Sequence, residues 1–458
     1  MKKSLRIMLS AFAVSALALI MMLPITFGGG SSISTQAAAS PAAISTYNTK
    51  GKVVTPTASV EKQSGNKNLL TVTVTETYPS IDWNVVSTEK FSIDNNAAGT
   101  YKVGSYNVYV DTKGNTQIRD CYIASSIPTT LSTFEKLNDA GMYSMEYLED
   151  YKFDQFLQTG AANDDELAEY LQNVLLEGLP VEIKPPQYGC STFSGELAES
   201  GDRIFARNFD NSFTPSLVVK TSPKNGYKSI STVNLTFVGY TSTSLLDLND
   251  EATLLKTLVA PYVPLDGVNE KGLSIGVLQL NWLAAKQSDP NKVNLPTTTM
   301  IRMVLDKAAT VDEAIELMGQ YNMRDSLGPN FHYQIADRSG KSVVVEYFND
   351  ELRVIEQNPD ENFHLATNFY LSPEAMSIPA QLARTVRPDY NCPRYYKMKE
   401  VLSANGGVFA NEQEAMDLLQ AVHQTSSTWW SVVYNLEKLT VMFVPARQYS
   451  EPAYYFAL

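Results

Sequence analysis

Cys190 stands at the head of the one stretch of this chain whose residue types and spacing suggest covalent chemistry. Residues Tyr188 to Asn211 read YGCSTFSGELAESGDRIFARNFDN. The stretch reads as two strands, Cys190 to Leu197 and Arg203 to Phe209, around a polar, glycine-containing turn at Ala198–Asp202, the pattern of an antiparallel hairpin. Facing residues in such a hairpin share a constant index sum of about 400 when the turn is centred near Ser200, so Cys190 faces Asp210 to within a residue or two. Arg207 lies on the same returning strand, three residues before Asp210. A thiol, a guanidinium and a carboxylate therefore meet at one end of a local hairpin. A cysteine beside fixed cationic and hydrogen-bonding groups is a candidate nucleophile, because the thiolate is its reactive form. A buried structural cysteine is the competing reading.

The composition narrows the chemistry further. At 458 residues with 44% hydrophobic content, the chain can build a sizeable core. A net charge of −13 argues against nucleic acid or an anionic membrane surface as partner. The three histidines, His332, His364 and His423, form no HxH or HxxxH pair, and the three cysteines form no CxxC. A zinc site of the usual kind is therefore not expected, and no metal or organic cofactor is called for. Cys121 and Cys392 would leave Cys190 as the odd thiol if they were bridged in an exported protein; three separate free thiols is the alternative.

The elements that must position Cys190 follow in chain order. Lys2, Lys3 and Arg6 precede an apolar run from Ile7 to Phe27, and Ala37-Ala38-Ala39 fits a small-residue cleavage site, so residues 1–39 read as a signal peptide or an uncleaved membrane anchor. Either way the rest of the chain is expected outside the cytoplasm. Residues 40–51 read as a flexible linker rich in small residues. Residues 52–127 alternate apolar and polar, as in Leu70-Thr-Val-Thr-Val-Thr and Tyr106-Asn-Val-Tyr-Val-Asp, and read as a small antiparallel sheet serving as a pro-domain or spacer. Residues 128–189 show helical spacing at Leu131, Phe134, Leu137, Met142 through Leu148, and from Glu166 to Leu176, which predicts a helical pro-segment. Leu179-Pro180 and Pro185-Pro186 then impose an extended approach to Gly189-Cys190. From Cys190 to the C-terminus strands come first: Ser229 to Tyr240, then Gly272 to Leu280. A helix opens at Thr310 with a capping-box pattern, Thr310 standing three before Glu313. His332–Ala336 and Lys341–Tyr347 read as a hairpin, followed by helices at Pro393–Leu402 and Asn411–Val422 and a closing hairpin at Ser431–Asn435 and Leu439–Val444.

Gly189-Cys190-Ser191-Thr192-Phe193 followed by Arg207-Asn208-Phe209-Asp210 resembles the choloylglycine hydrolase, or linear amide C–N hydrolase, family. That family belongs to the N-terminal nucleophile hydrolases, a group that also holds penicillin V acylases, acid ceramidase and isopenicillin N acyltransferase. The resemblance spans about Pro180 to the C-terminus and implies an α+β fold, a four-layer αββα sandwich over residues 190–458 preceded by the β-rich and helical pro-region. It also implies autocatalytic cleavage between Gly189 and Cys190, since the family's cysteine is the first residue of the mature chain. Its freed α-amine, with an ordinary pKa of roughly 8, can then take the thiol proton without a histidine.

The resemblance extends to the supporting residues. Asp210 would orient the α-amine and Arg207 would bias Cys190 toward thiolate. Asn368, in Leu365-Ala-Thr-Asn-Phe, would donate its side-chain amide to the oxyanion, and the family's variable second position falls on Gln279, with Asn281 two residues on. Bile salt hydrolases carry Asn there and penicillin V acylases Tyr, so Gln279 is a departure that leaves the substrate open. Arg394, in Asn391-Cys-Pro-Arg-Tyr-Tyr, matches a family arginine that supports the nucleophile, with Arg384 and Arg387 as competitors. Trp429, Trp430 and Tyr434 match the closing hairpin and read as core or pocket wall.

The function expected from these residues is an exported, self-processing cysteine amidase that hydrolyses a small-molecule linear amide through a Cys190 thioester. Acyl transfer to an amine is the competing enzymatic reading. An unprocessed surface binding protein and a papain-like protease using one of the histidines are the others; the papain surroundings are absent around Cys190.

Overall fold

Strand-forming alternation governs the first third of the molecule. In the computed structural model the described residues are 47–49, 52–63, 66–78, 83–94, 98–103, 106–121, 129–176, 181–184, 189–212, 214–240, 251–326, 329–377 and 392–458. The signal or anchor segment, Pro185-Pro186, Arg384 and Arg387 lie outside them. Strands β1 (Tyr47–Thr49), β2 (Lys52–Lys62), β3 (Lys67–Tyr78) and β4 (Trp83–Asp94) form one antiparallel meander. A second is built from β5 (Gly99–Val103), β6 (Tyr106–Val110) and β7 (Thr116–Cys121). Leu70, Val72, Ile93, Val103, Val108, Val110 and Ile118 make their shared core. The β reading of residues 52–127 thus meets strands throughout its described part, while the linker reading of 40–51 is corrected at Tyr47–Thr49, which pairs with Lys52–Val54.

The next segment departs from its helical reading. Residues Met142–Tyr147 are a strand, β9, with β8 (Glu135–Lys136) beside it. Among the described residues of this segment, helical structure is confined to the 3-10 turn Thr129–Thr133, α1 (Phe153–Thr159), α2 (Asp164–Tyr170) and the π turn Leu171–Leu175. Apolar spacing alone could not separate the two states, and a long-range parallel pairing decided it: β9 runs alongside β12 (Ser216–Thr221), Met142 opposite Ser216 through Tyr147 opposite Thr221. Asn163 caps α2 by accepting from the Glu166 amide at 2.9 Å, and Glu166 reaches back to the Ala162 amide at 2.7 Å.

The hairpin expected around Cys190 is β10 (Gly189–Leu197) with β11 (Arg203–Asp210). Together with β21 (His364–Ala366), β22 (Val408–Phe409), β23 (Thr428–Asn435), β24 (Thr440–Pro445) and β25 (Tyr454–Ala457) it makes a seven-stranded sheet. The facing nine-stranded sheet runs β20-β19-β18-β15-β14-β13-β12-β9-β8, with β13 (Ser229–Asn234), β14 (Pro264–Asn269), β15 (Leu273–Leu283), β18 (Pro329–Asp337), β19 (Ser342–Phe348) and β20 (Glu351–Glu356). Two short strands, β16 (Asn294–Pro296) and β17 (Asn322–Arg324), pair separately. The strand expected over Ser229–Tyr240 stops at Asn234, whose side chain accepts from the Thr236 amide and turns the chain into a 3-10 helix.

Helices cover the outer faces. After α3 (Glu251–Lys256), α4 (Thr297–Lys307) packs on β14 and β15, and α5 (Val311–Gly319) on β18 and β19. Thr310 caps α5 by accepting from the Glu313 amide at 3.2 Å. Beyond the single turn α6 (Pro373–Met376), α7 (Pro393–Asn405) contacts β21 and β22, and α8 (Glu412–Ala421) contacts β11 and β23. The period-2 alternation of β10 and β11 separates the layers. Phe193, Leu197, Ile204 and Ala206 join the cluster under α7 and α8, whereas Cys190, Phe205 and Phe209 join the cluster between the sheets.

Candidate active site

The hairpin register places Gly189 opposite Asp210, Cys190 opposite Phe209 and Thr192 opposite Arg207. Cys190, Thr192, Arg207 and Phe209 therefore share the inner face, and Arg207 sits diagonally across from Cys190. Its Nη2 donates to Cys190 Sγ at 3.1 Å and to the Val277 carbonyl at 2.6 Å. Its Nη1 donates to the Leu265 carbonyl and pairs with Asp266 Oδ2 at 3.1 Å. Arg207 thus leaves one sheet, crosses the interior and is fixed by three residues of the other. Gly276 makes the room for it: a Cβ there would stand 3.3 Å from Arg207 Nη1 and 3.1 Å from the Phe205 ring.

Asp266 has no exposure and is itself saturated. Besides Arg207 it accepts from Thr232, Tyr434 and, at 3.3 Å, the Trp430 indole. Trp430 and Tyr434 are thus part of the interior that holds the arginine. Nothing in the spacing of Asp266 relative to Cys190 marks it, since it comes from a different sheet.

The far side of Cys190 is held by Asp210, Asn368 and Arg394. The Cys190 amide donates to Asn368 Oδ1 at 2.8 Å, while Asn368 Nδ2 donates to the Gln279 carbonyl at 2.8 Å. Arg394, at the first turn of α7, donates to the Cys190 carbonyl, to Ser191 Oγ at 2.8 Å and to Asn368 Oδ1 at 3.0 Å, and pairs with Asp210 Oδ2 at 3.2 Å. Asp210 also accepts from Gln424 Nε2 at 2.8 Å and from Thr428. Sequence reading missed Gln424 and Thr428; Gln424 enters from the loop between α8 and β23, and Thr428, the first residue of β23, stands opposite Asp210 in the β11–β23 ladder, so only the packing of these elements on β11 reveals them.

All six expected residues therefore converge, and the contacts of Asn368, Gln279 and Arg207 add detail to their expected roles. Asn368 was expected as an oxyanion donor; its oxygen holds the Cys190 amide and one amide hydrogen is spent on Gln279, leaving the other for an oxyanion. Gln279 meets this cluster through its backbone carbonyl, and its side chain is 5% exposed. Arg207 does pull the Cys190 thiol toward thiolate, as expected, but it is not the strongest influence on it. Full burial outweighs the pull of Arg207, and the thiol is pushed up to about 11. The physical reason is that no solvent reaches the sulfur, and the nearby Asp210 carboxylate adds to the upward push.

The histidines serve elsewhere. His332 bridges Glu346 at 3.2 Å and the Thr367 carbonyl at 2.7 Å, next to Asn368, and Glu346 accepts the Leu371 and Ser372 amides at 2.7 and 3.0 Å. This clamp fixes the turn that carries Asn368. His364 is buried and its pKa is pushed down to about 4 by desolvation, and His423 bonds the Gln420 carbonyl. Among the described residues none of them bonds to Cys190, which removes the support for a papain-like pair. Cys392 is a buried free thiol, so the Cys121–Cys392 bridge is not formed.

This geometry agrees with what the chain resembles. Residues 190–370 match the family model described as linear amide C–N hydrolases, choloylglycine hydrolase family. A bile salt hydrolase/transferase of Clostridium perfringens is 30% identical over 132 residues, which are 25% of this chain and 40% of that protein. A penicillin V acylase of Pectobacterium atrosepticum is 34% identical over 116 residues, 22% of this chain and 29% of that one. The chain thus spans less than half the length of these curated relatives. Among solved structures, a conjugated bile acid hydrolase from Clostridium perfringens matches with a TM-score of 0.42 at 17% identity, over 59% of this chain and 92% of the other. The family match begins on Cys190 itself and runs past Asn368, and residues 190–370 resemble the choloylglycine hydrolase family of linear amide C–N hydrolases.

Proposed function

We propose that this protein is a self-processing N-terminal nucleophile cysteine hydrolase that cleaves a non-peptide N-acyl amide. The observation that carries the reading is the set of partners around the Gly189–Cys190 bond. The amide of Cys190 is already seated on Asn368, its thiol on Arg207, and Asp210 lies across the strand with Arg394, Gln424 and Thr428 on it. The helix–sheet–sheet–helix order of layers around this hairpin supports the αββα sandwich reading.

Maturation then has two steps. Cys190 Sγ attacks the Gly189 carbonyl carbon, the C–N bond breaks, and the acyl group passes to sulfur while the nitrogen gains a proton as the α-amine. Water next hydrolyses the thioester, releasing the Gly189 carboxylate and restoring the thiol. In turnover the α-amine takes the thiol proton and returns it to the leaving amine. The substrate acyl group rides on Cys190, and water releases the acid. Asn368, through its remaining amide hydrogen, stabilises the oxyanion together with Gln279. Transfer of the same thioester to an added amine is a second reading, favoured by the name of the Clostridium perfringens relative.

The apolar run Ile7–Phe27 supports action outside the cytoplasm, by secretion or from a membrane anchor. Intact mass and N-terminal sequencing of purified wild type beside Cys190→Ala test the reading. Two fragments, one starting at Cys190 and absent from the variant, are expected. One uncut chain in both, active on no amide, overturns it.

A further inference from the structure

We infer, given the self-processing hydrolase proposed above, that the acyl half of the substrate is unbranched next to its carbonyl, a –CH2–CO– group. Gln424, with Asp210, forms the wall that enforces this. In both reactions of such an enzyme a carbonyl carbon becomes bonded to Cys190 Sγ, with Asn368 serving the oxyanion. The atom next to that carbon therefore occupies one place. It is the Gly189 Cα in the cut and the α-carbon of the acyl group in turnover.

Gly189 shows how little room that place has. It is the first residue of β10, and its φ lies outside the left-handed region, so no backbone conformation calls for glycine there. Space does. A Cβ in the L position would stand 3.2 Å from Gln424 Nε2, 3.3 Å from Asp210 Cβ and 3.4 Å from Asp210 Oδ2. Each contact is inside the roughly 3.5–4.0 Å of relaxed packing around a carbon.

The wall is held in place from several sides. Gln424 Nε2 donates to Asp210 Oδ2 at 2.8 Å, and Asp210 is fixed in turn by Arg394 at 3.2 Å and by Thr428. The backbone of Gln424 is tied as well. Its amide donates to Thr428 Oγ1 at 2.8 Å, and its carbonyl accepts the Ser427 and Thr428 amides at 3.2 and 3.1 Å. An α-methyl group, or the side chain of any L-aminoacyl residue, has to displace Gln424 or Asp210 and strain a charge-assisted hydrogen bond. Straight-chain acyl groups escape this contact and ordinary peptides meet it, which is a steric reason for taking non-peptide amides.

The test needs no knowledge of the amine half. Self-processed protein is mixed with the p-nitrophenyl esters of octanoic acid and of α-methyloctanoic acid, the latter as the enantiomer whose methyl superposes on an L-residue Cβ. Cys190 Sγ attacks the ester carbonyl, the C–O bond breaks, nitrophenolate leaves, and the thiol proton passes to the α-amine. Nitrophenolate release gives the rate, and intact mass shows the acyl group on the Cys190-led chain. Each rate is divided by that of the same ester with a small free thiol, which removes the intrinsic effect of branching. In wild type the branched ester is expected to acylate at least about tenfold more slowly, and the ratio should fall toward one in Gln424→Ala. Gln424→Ser is read in its place if the alanine variant does not process. Equal normalised rates in wild type, or a ratio that the Gln424 variant leaves unchanged, overturn the inference with self-processing intact. A wild-type chain that stays whole on a denaturing gel overturns the self-processing reading, and the inference with it.

Discussion

Arg207 and Asp266 form an ion pair at 3.1 Å with no exposure on either side, each residue standing on a different sheet. Removing one partner strands the other charge in the interior. Asp266→Asn is expected to cost about 3–5 kcal/mol of stability, read from urea unfolding. The double variant Arg207→Met/Asp266→Leu should regain most of that loss while self-cleavage stays absent. A double variant that still cuts itself at the wild-type rate would mean the arginine is architecture alone.

Cys190 supplies a pH dependence. With its thiol pushed up to about 11 by burial, the thiolate fraction in the uncut chain is small at neutral pH and grows with pH. The self-cleavage rate, followed on denaturing gels, should rise about tenfold per unit between roughly pH 6 and 9. A flat profile would assign the limiting step to something other than thiol ionisation.

Asn368 both accepts and donates, and the two roles can be split. Asn368→Asp keeps an oxygen for the Cys190 amide and for Arg394 but removes the amide hydrogens. Cleavage and turnover should both fall by about a hundredfold or more, with folding retained, if the oxyanion draws on Nδ2. Loss of less than about fivefold in either rate would remove Asn368 from that role.

Gly189 is needed only while it is attached. A Cβ there would lie 3.2 Å from Gln424 Nε2 and 3.3 Å from Asp210 Cβ. Gly189→Ala should therefore slow self-cleavage, while the fully processed enzyme keeps wild-type kcat and KM, because residue 189 is no longer bonded to the nucleophile. Altered steady-state constants after complete processing would show that the new carboxyl terminus stays in the site.

His364 sets an acid limit on the fold. Its folded pKa of about 4 lies below the ordinary 6.5, so between these values the unfolded chain binds a proton that the folded chain refuses. Stability is lost as pH falls through that window, by up to about 3 kcal/mol at its lower end. His364→Gln should flatten the urea midpoint between about pH 6.5 and 4; an unchanged slope would place the acid sensitivity elsewhere.

What could be read from the chain alone follows contact range. The Cys190–Asp210 juxtaposition is a local hairpin, and its register came out one residue from the expected pairing, Cys190 opposite Phe209. The capping of α5 by Thr310 is equally local. Asn368 and Arg394 were reached through the family resemblance, since no periodicity connects them to Cys190. Asp266, Gln424 and Thr428 carry no local signal, because each reaches the site only after two sheets and a loop have packed. Met142–Tyr147 misled for the same reason: its apolar spacing suits a helix, and β12, about seventy residues on, makes it a strand.

The strand β10 begins at Gly189, one residue ahead of the nucleophile. The bond proposed for cleavage therefore lies inside finished secondary structure, and breaking it would shorten a strand without unmaking one. The Cys190 nitrogen, the α-amine of the proposed mature chain, already rests on Asn368, so activation would inherit its geometry from the precursor. On the proposed self-cleavage, the precursor would be complete yet inert, with the moment of arming set by the chemistry of one peptide bond rather than by any later folding event.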